Sequence, residues 1–356
     1  MHFNDGQVPD DYSRYIGRKI GFVLVVSLAM LTSMVIAVSL GSADVPILAV
    51  IKSLFGGSGS ARFDIIVWNI RLPQAAAAIV AGAGLAVSGA TMQSILRNPL
   101  GSPFTLGISH AAAFGAAFSV MILGSGIMAS TNAGAVNITN PYVTTLSAFI
   151  FSLAAAVVIM AVSRIRGATP EVMILTGVAL GALFTAGTML LQYFADDVQL
   201  AAMVFWTFGD TARASWSELG LITAVTLVAS VYFMINSWNY NAIDAGDETA
   251  RGLGVHVQRT RLLGMLMATL LTAVIISFLG IIGFVGLVVP HMVRRCIGSD
   301  LRFLLPASIV AGGLLLLLSD TAARLMLAPQ VLPVSILTAF MGAPVFIALI
   351  IRGARQ

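Results

Sequence analysis

Long apolar runs alternate with short polar segments along the chain, and this pattern predicts ten membrane-spanning helices. About 20 apolar residues in helical conformation cross the roughly 30 Å hydrocarbon core of a bilayer. Because lipid offers the backbone no hydrogen-bond partner, each crossing segment is expected to be helical, and the sequence lacks the ten-residue alternation typical of a membrane β-barrel. The predicted spans are 20–40, 73–95, 104–124, 142–163, 171–193, 217–236, 260–280, 283–296, 303–320 and 334–351.

Two apolar segments are too short for an ordinary crossing. Segment 283–296 is predicted to be a tilted or partly buried helix, since its length falls below that of the bilayer core. The fragment Val204–Phe208 lies inside the region 194–216, between two predicted spans. It is predicted to be a half-helix at the surface.

The first apolar run is predicted to be a retained helix rather than a signal peptide. Residues 1–19 are polar and end in basic side chains, and Ile20–Leu40 is longer than the apolar core of a signal peptide. The small residues at 41–43 leave cleavage open as an alternative. The predicted organisation is a polar N-terminal segment, residues 1–19, followed by one transmembrane domain, residues 20–356.

Composition supports the membrane assignment and excludes a soluble fold. Of the 356 residues, 58% are hydrophobic and only 10% are charged, against about a quarter charged in soluble domains. The 34 glycines favour closely packed membrane helices. In particular, Gly82, Gly84 and Gly89 inside one span predict helix packing, and the spacing of Gly280, Gly283 and Gly286 predicts that they line one helix face. The predicted fold class is therefore all-α and polytopic.

Basic residues are distributed unequally between the two sides of the predicted helices. If the N-terminus is cytoplasmic, 14 of the 19 lysines and arginines lie in inside segments, and the others are Lys52, Arg62, Arg71, Arg213 and Arg324. Cytoplasmic loops of membrane proteins carry such an excess, so both termini are predicted to be cytoplasmic. The net charge of +4 therefore indicates orientation, and no basic stripe with interleaved aromatic residues indicates a nucleic-acid partner.

The sequence contains no energy source of its own. An ATP-binding P-loop needs a lysine after a glycine-rich stretch, and neither Lys19 nor Lys52 has that context. The span interiors hold almost no ionisable residues, which disfavours a proton-coupled carrier, although that class and a structural scaffold remain alternatives. The four histidines are far apart in sequence, so no metal site is predicted. The favoured interpretation is a passive pathway operated by another subunit.

The longest polar connection, residues 237–259, is too polar to enter lipid and is predicted to contain one or two short surface helices. It holds Asp244, Asp247, Glu248 and Arg251 among three glycines. Two interpretations stay open at this point. The segment is either a solvated connector or a docking surface for a cytoplasmic partner.

Several motifs together resemble one family in order along the chain. They are Arg-Leu-Pro-Gln at 71–74, Gly-Ala-Thr-Met-Gln at 89–93, Arg-Asn-Pro-Leu-Gly-Ser-Pro at 97–103, Leu-Gly at 106–107, the segment 247–254, the segment 283–291, Leu-Leu-Pro at 304–306 and Gly-Ala-Pro-Val-Phe at 342–346. These motifs resemble the FecCD-type permeases of type II ABC importers, which carry iron-siderophores, haem and vitamin B12.

The resemblance implies the architecture and partners of that family. It implies ten helices per subunit in a prokaryotic cell membrane, a permease homodimer with the pathway between the copies, two separate ABC ATPase subunits and an extracytoplasmic substrate-binding protein. ATP and magnesium would be bound by the ATPase, so this chain is expected to be neither an enzyme nor the holder of a cofactor. Iron(III)-siderophore is the first expectation for the cargo, followed by haem and cobalamin, with molybdate or tungstate behind them.

The resemblance also implies roles for particular residues. The coupling surface toward the ATPase would be formed by Asp244, Asp247, Glu248, Ala250, Arg251, Gly252, Leu253 and Gly254. A cytoplasmic gate would include Thr169, Pro170 and Glu171, and the pathway candidates are Gln93, Asn98 and Pro99. For Glu171, an equally favoured alternative is a helix N-terminal acidic residue stabilised by the helix dipole.

Docking of the binding protein would involve Arg71 and Arg324, with interfacial snorkelling as the alternative for each. The chain departs from the family pattern nearby. Gln74 stands where arginine is usual, and Gln330 stands where glutamate is common. These departures predict a binding protein with a different charge pattern.

Overall fold

A computed structural model describes residues 10–41, 45–57, 60–125, 141–328 and 330–353. The regular elements in these residues are helices. They are α1 Asp10–Ser39, α2 Ile47–Phe55, α3 Ala61–Ile65, α4 Leu72–Ile95, α5 Ile108–Met121, α6 Pro141–Arg166, α7 Pro170–Phe194, α8 Asp197–Thr207, α9 Trp216–Ile235, α10 Ser237–Asp244, α11 Asp247–Gly252, α12 Val257–Leu279, α13 Val285–Ile297, α14 Leu301–Met326 and α15 Val334–Gly353.

Each of the ten predicted spans corresponds to a helix, which confirms the all-α polytopic fold. Seven helical segments among the described residues are long and apolar enough to cross a membrane. The other three predicted spans correspond to α5, with 14 residues, to α13, with 13 residues, and to α15, whose apolar stretch is Val334–Ala348. The prediction for α13 was a short helix, and it has 13 residues. The predicted half-helix is longer than expected, because α8 begins at a capping box formed by Asp196 and Gln199.

Several boundaries differ from the predicted ones, and three of the differences have a local explanation. Helix α1 begins at Asp10, ten residues before the apolar run, because polar side chains are compatible with a helix that extends beyond lipid. Helix α5 begins only at Ile108, since Gly107 has a φ of +76° and precedes the first helical residue. The span predicted to start at residue 73 continues an earlier helix, and Ala61–Ile95 runs without interruption.

A π-helical turn explains how the helical segment continues through Pro73. Residues Ile66–Arg71 form this turn, and the backbone N–H of Leu72 donates to the carbonyl of Val67, five residues earlier. A proline in a regular α-helix would clash with the carbonyl four residues before it. The wider π turn relieves this constraint and carries Arg71 at its end.

Helix α4 is the central helix of the subunit. It is surrounded by α14, α12, α13 and α9, and 21 of its 24 residues are buried. Two glycine contacts permit this packing. Gly82 lies against the backbone of Gly312 in α14, and Gly89 lies against the backbone of Gly286 in α13. The predicted packing role of the glycines in this span is therefore confirmed.

The prediction that Gly280, Gly283 and Gly286 line one helix face is wrong. Gly280 ends α12 with a φ of +79°, and Gly283 lies in the connection before α13. Only Gly286 is helical. The spacing was misleading because the positive φ of Gly280 interrupts the helix that the apolar run suggested.

Helices at the periphery expose most of their apolar side chains. In α7, only 11% of the most apolar stretch is buried, and in α1 only 6% is. Helix α15 exposes Phe340, Val345 and Ile347. Such surfaces in a polytopic protein face lipid or another subunit.

Candidate coupling and transport sites

The polar connection between α9 and α12 forms two short helices, α10 and α11. Gly246, with a φ of +128°, separates them, and Gly254, with a φ of +81°, allows the turn into α12. Ile243, Ala250 and Val257 form a small buried apolar cluster beneath the two helices. The segment is therefore a packed element of the subunit and not a loose connector. We refer to this side of the subunit as the α10–α11 end.

The predicted coupling residues divide into an exposed and an inward set. The exposed set comprises Glu248, Arg251, Gly252, Leu253 and Gly254. Glu248 and Arg251 form an ion pair at the surface, and Leu253 is 69% exposed. Helix α11 and the residue that follows it thus present an apolar side chain beside a charge pair, and such a surface is suited to a protein contact.

The inward set comprises Asp244, Asp247 and Ala250. Ala250 is fully buried in the apolar cluster. Burial raises the pKa of the Asp244 carboxyl, and the nearby positive charges of Arg294 and Arg97 oppose that rise. Asp247 is paired with an arginine inside the subunit.

The arginine that binds Asp247 is Arg261, a residue in α12 that was counted in the sequence only as an inside charge. Its side chain is 2% exposed, and its Nη2 lies 2.8 Å from Oδ1 of Asp247. Its Nε donates to the carbonyl of Ile95 at 2.7 Å, and its Nη1 donates to the carbonyl of Ala168 at 2.9 Å. The sequence contained one signal for this role, because Arg261 lies one residue inside the predicted apolar span 260–280, where a charged side chain needs a partner.

Helix α10 is attached to its neighbours by two further polar contacts. Ser94, near the end of α4, donates from its hydroxyl to the carbonyl of Tyr240 at 3.2 Å. Asn241 donates to the carboxylate of Asp300 at 2.9 Å. Burial disfavours the charged form of Asp300, but hydrogen bonds from Arg302 and Asn241 prevail and lower its pKa to about 2.

The predicted gate residues form the beginning of α7. Thr169 is the N-cap residue, Pro170 is the first helical residue, and Glu171 lies in the first turn. Thr169 and Glu171 are exposed. The position of Glu171 satisfies the geometric condition for a dipole interaction, so that alternative stays open beside the gate role. The preceding residue, Ala168, is buried and has a φ of +53°, which is unusual for a residue other than glycine.

The three pathway candidates lie at and beyond the end of α4. Gln93 is buried, and its Nε2 donates to the carbonyl of Leu287 in α13 at 3.2 Å. Asn98 and Pro99 lie in the turn that follows α4, where Oδ1 of Asn98 accepts from the N–H of Leu100 at 2.8 Å. Gln93 therefore packs inside the subunit, whereas the other two residues belong to a surface turn.

The predicted docking arginines lie at the end opposite α10 and α11. The Nη1 of Arg71 donates to the carbonyls of Val38 at 2.9 Å and Ser39 at 2.7 Å. The Nη2 of Arg324 donates to the carbonyl of Ala37 at 3.1 Å. Both guanidinium groups thus bind the C-terminal carbonyls of α1, where the helix dipole favours positive charge.

The buried carboxylate of Asp320 joins three polar side chains at this end of the subunit. It accepts hydrogen bonds from Gln74 at 3.1 Å, from Arg324 at 3.1 Å and from the hydroxyl of Thr211. Gln74 therefore belongs to an interior network. The sequence analysis did not single out Asp320, although an arginine four residues later is a recognisable pairing signal.

A cavity of about 610 Å³ lies between α6, α8, α9 and α12. Arg213 lines it, but its guanidinium donates to the carbonyls of Trp206 at 3.0 Å and Phe205 at 2.7 Å. Glu218 also lines the cavity and caps α9 through Ser215. These charged groups have structural partners, so the cavity shows no arrangement for chemistry. Among the described residues, no three His, Cys, Asp or Glu side chains are grouped to hold a metal ion.

Comparison with protein families matches residues 28–352 to the FecCD transport family. The chain belongs to this family. It is thus the permease subunit of an ABC importer, a multi-pass membrane component without a catalytic site of its own. As a FecCD permease, it is expected to share the family's helical arrangement along nearly its whole length.

Named relatives agree with this assignment. A protein of Methanocaldococcus jannaschii, provisionally named an ABC transporter permease, is 52% identical over 97% of this chain and 98% of its own. The hemin transport system permease protein of Yersinia pestis is 36% identical over 92% of this chain and 96% of its own. The Fe(3+)-citrate import system permease protein of Bacillus subtilis is 33% identical over 94% of this chain and 96% of its own.

A solved structure has the same arrangement of helices. It is an inward-facing conformation of a transporter provisionally assigned to the metal-chelate type, and it matches with a TM-score of 0.80 at 28% sequence identity. The match covers 93% of this chain and 98% of the other. The type II importer permease fold is therefore confirmed.

Proposed function

We propose that this permease carries a bulky metal chelate, iron(III)-siderophore in the first instance, delivered by a substrate-binding protein and driven by a separate ATPase. The observation that supports the proposal is the family match over residues 28–352, with relatives named for hemin and Fe(3+)-citrate transport. Haem and cobalamin are the alternative cargoes, and molybdate or tungstate is less favoured. ATP and magnesium would be bound by the ATPase, and this chain would bind no cofactor.

The functional unit would be a homodimer with the pathway between two copies. Support comes from the exposed apolar faces of α7 and α15, which have no cover within the described part of one subunit. On α15, Ile336, Phe340 and Pro344 line a shallow apolar groove of about 480 Å³. A second copy would bury these surfaces together, whereas α1 would remain against lipid.

Two ABC ATPase subunits would contact the exposed set of coupling residues on and after α11. A few side chains that become buried near the centre of a protein contact commonly contribute most of its binding free energy. Leu253 would take that position, beside the ion pair of Glu248 and Arg251. Asp244, Asp247 and Ala250 would support this surface from inside.

Replacing Leu253 with aspartate is expected to weaken ATPase binding at least tenfold, because it puts a charge where an apolar contact is buried. Affinity between the purified permease and its ATPase, measured by light scattering or interferometry in detergent, checks this. The matched control is Leu327→Asp, which changes an exposed leucine at the opposite end. Equal affinities for the two variants and the wild type would contradict the proposed contact.

The opposite end would receive the extracytoplasmic binding protein. Arg71 and Arg324 would contribute positive potential there, although their guanidinium groups also bind the carbonyls of α1. With Gln74 in the place of the usual arginine, this end of the subunit would carry one positive charge fewer, although Gln74 is buried against Asp320 and would not itself touch the binding protein. A less acidic contact surface on the binding protein would match it.

The gate would include Thr169, Pro170 and Glu171 at the start of α7, and Gln93, Asn98 and Pro99 would lie on or beside the pathway. The exposure of Thr169 and Glu171 supports an accessible position for the gate. The protein would lie in the cell membrane of a prokaryote with both termini in the cytoplasm. The excess of basic residues at the α10–α11 end supports that orientation.

The test of the cargo is reconstitution of the permease, its ATPase and its binding protein into liposomes. Uptake of a ⁵⁵Fe-loaded siderophore is compared with uptake of haemin, cobalamin and molybdate, each with ATP and with a non-hydrolysable analogue. The proposal expects ATP-dependent accumulation of the ferric siderophore. Accumulation of haemin or cobalamin instead would overturn the first choice of cargo, and no ATP-dependent uptake of any chelate would overturn the proposed function.

A further inference from the structure

Arg261 is the point at which three separate segments of the subunit meet. Its guanidinium binds the last residue of α4 through the carbonyl of Ile95, the connection before α7 through the carbonyl of Ala168, and α11 through the carboxylate of Asp247. These partners lie 166, 93 and 14 residues away in sequence.

The chemistry of the guanidinium makes this connection rigid. Its donors lie in one plane and in fixed directions, and Asp247 is bound by two of its nitrogens, at 2.8 and 3.2 Å. Nη1 is shared between Asp247 and Ala168, so these two partners are held by the same atom. Because the group is buried, breaking one contact leaves a charge or carbonyl without a partner, which is costly.

The position of Asp247 assigns it a role different from that of its neighbours in α11. Its carboxylate points into the subunit, while Glu248 and Arg251 are exposed. Ala168, on the other side of the guanidinium, is followed at once by Thr169, the N-cap residue of α7. A displacement of α11 must therefore either break the buried ion pair or move the start of α7 with it.

We propose that Arg261 is a positioning residue that transmits the movement of α11 to the start of α7 and the end of α4. The inference rests on the proposed function, in which the ATPase moves α11. Arg261 contacts neither cargo nor ATPase, and acts through Asp247 and Ala168. The conversion of a subunit motion into a helix shift is a known mode of conformational change.

The test measures the movement of the gate directly. The chain contains one cysteine, Cys296, so Cys296→Ser gives a background in which Thr169→Cys carries the only spin label. In the full complex with ATPase subunits, the distance between the labels of the two permease copies is measured by pulsed electron paramagnetic resonance, without nucleotide and after trapping with ATP and vanadate. Arg261→Gln is expected to reduce the nucleotide-induced distance change at least twofold.

Arg259→Gln is the matched control, since it removes the same charge from the same helix at an exposed position. It is expected to leave the distance change at its wild-type value. Asp247→Asn, which keeps the shape of the side chain and the carbonyl contacts of Arg261, provides a second variant if Arg261→Gln does not fold. Arg261→Lys is expected to restore less than half of the movement, because an ammonium group cannot reproduce the planar fork.

A full distance change in Arg261→Gln, or in Asp247→Asn where the first variant does not fold, would overturn the inference. Failure of the proposed function looks different. In that case the labelled wild type would form no complex with the ATPase or would show no nucleotide-induced change at all.

Discussion

Replacing Gly89 with alanine is expected to prevent accumulation of the folded permease. A Cβ atom at this position would overlap the carbonyl oxygen of Gly286, so a methyl group cannot be accommodated unless α4 and α13 separate. Overpacking of a core by a methylene group costs about 1–3 kcal/mol when side chains can adjust. Here the obstacle is backbone, and the expected loss of stability is at or above the upper end of that range.

The measurement is the Tm of the detergent-purified protein and its yield in the monodisperse peak of size-exclusion chromatography. Gly82→Ala, which would overlap the carbonyl oxygen of Gly312, is expected to have an effect of similar size. Gly220→Ala is the matched control, because no heavy atom lies within 4 Å of its added methyl group. A normal yield and Tm for Gly89→Ala would contradict the close approach of the two helices.

Replacing Asp320 with asparagine is expected to destabilise the subunit by about 3–5 kcal/mol, the range seen when one member of a buried ion pair is removed. The side chain of Asp320 is 4% exposed, and that of Arg324 is 11% exposed. Asparagine keeps one oxygen that can accept from Gln74 and Thr211, but Arg324 then holds its charge in a poorly solvated position without a carboxylate partner. The effect is measured as a decrease in Tm.

A double-mutant cycle separates the ion pair from the rest of the network. Adding Arg324→Gln to Asp320→Asn removes the unpaired charge, so the double variant is expected to be more stable than Asp320→Asn alone. Asp197→Asn, an exposed acidic residue in the first turn of α8, is the control and should change stability little. Additive losses in the double variant would show that Asp320 and Arg324 do not interact.

The helices could be predicted from the sequence because hydropathy alone decides which segments enter lipid. All ten predicted spans correspond to helices, and the glycine contacts at Gly82 and Gly89 follow from the same reasoning. Helix boundaries were less predictable. The π turn before Leu72 and the positive φ of Gly280 are local backbone conformations that cannot be predicted from the pattern of apolar residues.

The segments that hold the candidate site residues could be predicted, but the direction in which each side chain points could not. The segment 247–254 was identified from its polarity and family resemblance, yet only the structure separates Asp247, which faces inward, from Leu253, which is exposed. Arg261 was missed because its partners lie on distant segments, whereas Asp320 was missed although Arg324 follows it by four residues in the same helix. A contact such as that from Arg261 to Ile95 depends on tertiary packing and has no local signature.

The central claim is that this chain provides the pathway while a separate ATPase provides the energy. The most direct test is uptake of a ⁵⁵Fe-loaded siderophore into proteoliposomes that contain the permease, its ATPase and its binding protein, with a protonophore present to abolish any proton gradient. The account predicts that uptake depends on ATP hydrolysis and is unchanged by the protonophore. Uptake that persists without the ATPase and disappears with the protonophore would contradict it.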